Sequence, residues 1–147
     1  MNTESYDVRA ARHLPWVPES GIQLRKAGVH FDAIRVADRL GRELADQLAQ
    51  LTAGSPGPVI QQANGERFVY FLVPVGSTGH RRWPTDAQQL TGRKRLQRDS
   101  YVGVPALEGA TWPLSWRYPP GVDDHLVHPL LLHLTLCVLV GWPPESP

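Results

Sequence analysis

Val29–Leu51 reads VHFDAIRVADRLGRELADQLAQL, and two periodicities meet inside it. In Val29–Val36, Phe31 and Ala33 fall on one side of an extended chain, and Ile34 and Val36 on the other. Apolar groups on both sides predict a strand covered on both faces. The period then lengthens. Val36, Leu40, Leu44, Leu48 and Leu51 lie four, four, four and three apart, which places them on one stripe of a helix. Arg39, Arg42, Glu43, Asp46, Gln47 and Gln50 fill the opposite, solvated face. Asp38 stands where a carboxylate would accept the unpaired amides of the first helical turn.

Downstream, GSPGP (54–58) ends the helix and Val59–Gln62 predicts a second strand. Asn64-Gly65 is a hairpin signal in which both turn positions take positive φ. Arg67–Val73 (RFVYFLV) is apolar on both faces and rich in β-formers, hence a central strand. Strand, helix, strand, hairpin and strand make one βαββ unit, and the fold class is α+β. Residues 76–92 read as a long exposed excursion with a helical turn over Thr85–Leu90. Tyr101–Val104 and Leu114–Tyr118 are short strands, each closed by proline. The segment 124–140 is helical, with Pro129 in the first turn, where its missing N–H costs nothing. Residues 1–20 form an irregular arm that docks through Trp16.

With 147 residues the chain has room for one domain, 1–147, and the 14 prolines and 13 glycines favour short elements over a helical bundle. Fifteen Lys+Arg against 14 Asp+Glu exclude a histone-like polybasic binder. The single cysteine, Cys137, excludes an internal disulfide framework and any multi-cysteine zinc or iron–sulfur site. The longest apolar run, Leu130–Val140, is eleven residues, against the roughly 20 that span a bilayer. It predicts a buried helix and no membrane partner. A lone thiol in that run, with no secretory core in the first fifteen residues, points to the cytoplasm.

Three groups of residues bear on chemistry. Arg81, Arg82, Arg93, Lys94, Arg95 and Arg98 face a single acid, Asp86, within residues 80–98. Six cations there could neutralise phosphates, with Trp83 and Tyr101 stacking on unpaired bases. A solvated loop has the same composition and is the commoner case. Asp123, Asp124, His125, His128 and His133 bring ligand types together. However, positions 128 and 133 lie about 140° apart on a helix, so a structural role outweighs a metal site built on Asp124, His125 and His128. No serine sits in a Gly-x-Ser-x-Gly turn, and GSTGHRR and GSPGP lack the donors of a phosphate loop. No catalytic residue and no cofactor is assigned.

The order of segments resembles the small actinobacterial relatives of the bifunctional primase/polymerase (prim-pol) domain. The likeness rests on FDAIRV, Gly65-Glu66-Arg67-Phe68-Val69-Tyr70-Phe71, Ser100-Tyr101-Val102-Gly103-Val104-Pro105 and, more loosely, Leu114-Ser115-Trp116-Arg117-Tyr118. It spans residues 29–120 and implies that the βαββ unit is the RRM-like half of a prim-pol fold, with added short strands and a C-terminal helix. It also implies two metal-binding acids on the first strand, whose positions here hold Arg35 and Ala37. A guanidinium there repels the cation that activates a nucleotide. The family's phosphate-contacting histidine is Phe68, and its third acid falls near Lys94. A register slip would offer Asp32, Asp38 or Asp99 instead. The degenerate site is therefore Asp32, Arg35, Ala37 and Phe68. The leading expectation is a non-catalytic accessory or regulatory protein with a protein partner. Nucleic-acid or nucleotide binding through residues 81–98 and an exposed sheet face is the alternative, and a small metal enzyme at His125 and His128 the third.

Overall fold

Phe68–Val73 (β4) lies at the centre of a five-stranded antiparallel sheet in the computed structural model, which describes residues 14–92, 99–121 and 123–142. Asp32–Ala37 (β2) pairs along one side of it and Val59–Gln62 (β3) along the other. Both run against β4, so they are parallel to each other, and the helix between them, α1 (Asp38–Leu51), crosses over one face. Ala87–Leu90 (β5) adds to the outer edge of β2 and Leu114–Tyr118 (β7) to that of β3, giving the order β5-β2-β4-β3-β7. Ile22–Lys26 (β1) and Tyr101–Pro105 (β6) form a separate two-stranded ribbon. Pro129–Val140 (α2) closes the described chain.

The two-sided apolar pattern of β2 and β4 dictates two cores. On one face Ile34, Val36, Val69, Phe71 and Val73 meet Leu44, Ala45 and Leu48 of α1 and Leu132 and Leu136 of α2. On the other, Ala33, Ile60 and Leu72 meet Phe31, Val102 and Val104, and Trp16 seals the layer edge-on to Phe31 at 5.4 Å. Of the arm, residues 14–20 are described and dock through Trp16, whose carbonyl accepts from the Arg25 Nε–H at 3.1 Å, while residues 1–13 lie outside the described residues. Helix α1 comes close to the sheet at Gly41. A Cβ there would lie 2.7 Å from the Val36 carbonyl oxygen and 2.8 Å from the Val69 side chain.

Several local expectations need correction. Asp38 does not cap α1: its φ is +52°, Ala37 holds the cap position without a side-chain bond, and the carboxylate instead accepts from Arg42 at 3.0 Å. In the hairpin, positive φ falls on Gly65 and Arg67, not on Asn64 and Gly65, and the Arg67 N–H closes the turn on the Asn64 carbonyl at 3.0 Å. The helical turn over 85–90 is replaced by β5, because the open edge of β2 offers backbone partners that local preference cannot match. Helix α2 starts at Pro129, preceded by irregular chain rather than helix over 124–128, and Gly141 (φ +67°) ends it. The helix is only half buried. Among the described residues no helix is long and apolar enough to cross a membrane.

The close approach at Gly41 makes the sign of one substitution diagnostic. Gly41→Ala gains about 1 kcal/mol of helix propensity if space allows, but should instead destabilise by about 1–3 kcal/mol in denaturant melts, because backbone must shift. A stabilised variant would show that the helix does not rest on Val69. Leu132→Ala, in the core, should cost about 2–5 kcal/mol, whereas Leu134→Ala on the outer side should stay within about 0.5 kcal/mol.

Candidate functional site

Strand alternation separates the four residues that the prim-pol resemblance would group, Asp32 from Arg35, Ala37 and Phe68. Arg35, Ala37 and Phe68 share one face: Ala37 lies opposite Phe68 in the ladder, and Arg35 opposite Tyr70 and Gln88. The ribbon and Trp16 pack with Ala33, Leu72 and Leu90 further along the strands. At the other end the Arg35 guanidinium lies 4.0 Å from the Phe68 ring centroid, donates to the Gln88 side-chain oxygen, and has Tyr70 edge-on to Phe68 at 6.3 Å. Asp32 belongs to the opposite face and is buried. Its Oδ2 accepts from the Gly76 N–H at 2.8 Å. The remaining acids are engaged elsewhere, Asp38 with Arg42 and Asp99 with Lys26 at 3.4 Å. What occupies this part of the sheet is a cation stacked on an aromatic ring, an arrangement suited to stacking and unsuited to holding a divalent ion. Lys94 lies outside the described residues.

Of the basic window and its aromatic neighbours, Arg81, Arg82, Trp83 and Tyr101 are described, and the two aromatic rings do not share a surface. Trp83 packs into the helix-side core, with its indole N–H donating to the Thr78 carbonyl at 3.0 Å and its ring edge-on to His133 at 4.9 Å. Its ring is thus partly buried and engaged with His133. Arg82 lies 5.9 Å from the Trp142 ring, and its carbonyl accepts from the His133 Nε2–H at 2.7 Å. Tyr101 is exposed, but on the ribbon, opposite Lys26. Arg93, Lys94, Arg95 and Arg98 lie outside the described residues.

The histidines are used one by one. His128 caps α2, its Nδ1 accepting from the Leu131 N–H at 3.4 Å. His133 is buried between Trp83 and Cys137. His125 bridges the Asp123 carboxylate (2.6 Å) and the Ser55 carbonyl (3.3 Å). Asp124 sits at positive φ without joining them. Among the described residues no group of three or more His, Cys, Asp or Glu is placed to hold a metal ion, so the weak alternative of Asp124, His125 and His128 is not assembled.

The least satisfied surface lies elsewhere. The sequence PLLLHLTLCVLV carries no Asp, Glu, Lys or Arg, and only one side of it is buried. Leu130 (45%), Leu134 (44%) and Val138 (80% exposed) recur every four residues along the outer side, with Leu51 of α1 (59%) also exposed. Between the helices runs a groove of about 370 Å³ lined by Gln47, Leu51, Leu131, Leu134, Val138 and Leu139. The chain matches no family model, no curated protein and no solved structure. Its surfaces therefore stand on their own geometry. The apolar run predicts a buried helix, yet its outer side is exposed and borders this groove. Its signal is in the sequence, since a helix packed on a sheet hides one side and this one is apolar on both.

A hydrogen bond to Asp123 raises the His125 pKa above its ordinary 6.5, helped by the Ser55 carbonyl, and the same bond to His125 lowers that of Asp123 below 3.8. The histidine's contribution is complete below 6.5 and fades as pH rises through its folded value. The carboxylate's is complete above 3.8 and fades as pH falls through its folded value. The melting-temperature gap between wild type and His125→Ala should therefore be widest in mildly acidic solution and narrow toward pH about 9, beyond the imidazole range. An invariant gap would show that the bridge does not form.

Proposed function

We propose that this chain is a non-catalytic, prim-pol-like accessory or regulatory protein that works through protein contacts made by the outer side of α2. The observation that carries the reading is the four-residue repeat of exposed Leu130, Leu134 and Val138 on a helix without Asp, Glu, Lys or Arg. Contiguous apolar surface of this kind is disfavoured in water unless something covers it. The groove beside it has the form that receives the apolar side of a partner helix. The absence of turnover is supported by the Arg35 guanidinium stacked on Phe68, where the resemblance would put metal-binding acids.

A photoreactive residue at position 138 should trap a defined protein adduct in cells, the same residue at Glu66 should not, and Leu134→Glu should abolish the adduct without lowering stability. Purified protein should extend no primer with magnesium or manganese. Primer extension, or an adduct to nucleic acid alone, reverses the reading.

A second reading has its own observation, the Arg35–Phe68–Tyr70 group beside Gln88. On that reading the group stacks on bases of single-stranded nucleic acid, binding weakens steeply with salt, and Phe68→Ala loses about 1–3 kcal/mol of affinity. Titrations with single- and double-stranded oligonucleotides at low ionic strength decide it, since electrostatic contacts are strongest there. No binding under those conditions removes it.

A further inference from the structure

At the start of β2, where Asp32 faces away from Arg35, the chain folds around a small cavity of about 290 Å³ lined by Gly28, Asp32, Gly76, Thr78, Gly79 and Gly92, with Val75 and Thr91. Asp32 is 2% exposed, an unusual place for a carboxylate. Its Oδ2 is taken by the Gly76 N–H, while Oδ1, buried and on the Gly28 side, has no hydrogen-bond partner among the described residues. The hydroxyl of Thr78, which is 0% exposed, is likewise without one. Two buried acceptors thus border the same space, and an orphaned buried carboxylate is a costly arrangement that a cationic or donating group would relieve.

Glycine shapes the rest of the wall. Gly28 (φ +90°) and Gly92 cross so closely that a Cβ on the first would lie 2.5 Å from the Cα of the second. Exposed Gly76 and Gly79 leave the mouth free of side chains.

We propose that this cavity binds the ammonium head of a small primary amine. Among the described residues only one carboxylate oxygen is unclaimed, so the parallel two-bond fork of a guanidinium finds no match, whereas the compact three-donor ammonium does. Asp32 Oδ1 and the Thr78 hydroxyl accept from the ammonium, and a short alkyl chain fills the apolar remainder. The site is independent of the groove on α2 and of the Arg35 surface.

The test is nuclear magnetic resonance titration of the full chain with butylammonium chloride. Saturable shifts at the amides of Gly28, Gly76 and Thr78 are expected, with guanidinium at least tenfold weaker and tetramethylammonium, which has no N–H, without effect. Asp32→Asn should weaken binding at least tenfold. Should that variant fail to fold, Thr78→Val should still weaken it several-fold, and the comparison of cations needs no variant. Nα-acetyl-lysine methylamide binding tenfold tighter than butylammonium would support an ammonium carried on a peptide as its source. No saturable shift, an equal response to tetramethylammonium, or the same shifts with potassium chloride would overturn the proposal.

Discussion

Helix α1 sits on its sheet through a side chain that is not there. Gly41 lets the helix backbone come against Val36 and Val69, and that approach brings Leu44 and Leu48 onto Ile34 and Phe71. With the helices committed to one face, the apolar groups on the other need a separate cover, which the β1–β6 ribbon and Trp16 supply. That cover is short. It accounts for Ala33, Leu72 and Ile60 and leaves Arg35 and Phe68 to pack on each other. The second helix meets the opposite shortage: there is more apolar helix than sheet to receive it.

The elements that local pattern decides were legible in the sequence. The helix over 38–51, the central strand, the strand over 114–118 and the helix opening at Pro129 each carry their own periodicity or punctuation. The elements that exist only by pairing were not. AQQL becomes a strand because β2 has a free edge, and IQLRK because β6 lies beside it. Neither has an apolar alternation strong enough to announce itself. The conformation of Asp38 was hidden for a related reason. Its N–H is claimed by the Arg67 carbonyl at 3.0 Å, a tertiary bond that outweighs the capping preference of the residue type.

The candidate surfaces divide along the same line. That the first strand offers Arg35 and Ala37 could be read directly, and alternation then put Arg35 and Phe68 on one side and Asp32 on the other. Charge density along a chain does not say which side chains point together: of the aromatic residues read with the basic window, Trp83 turns toward the helix-side core and Tyr101 lies on the ribbon. An acid within the apolar run VHFDAIRV was the signal for a buried carboxylate, and only the crossing of Gly28 and Gly92 shows what space it faces.

Asp46 on α1 accepts two bonds from Arg117, at 2.9 and 2.7 Å, and one from the Tyr118 hydroxyl at 2.9 Å, while Arg117 also donates to Gln61 at 2.8 Å. This knot fastens the first helix to the last strand across more than 70 positions of chain. The ribbon makes the same kind of demand, joining Ile22 to Pro105. Contacts so distant along the polypeptide are slow to find, because loop entropy is lost before any pairing compensates it. On a ribosome, where the amino end emerges first, α1 would lack its clasp and β1 its mate until residues beyond 100 had been made, so this small domain is built to mature late rather than piece by piece.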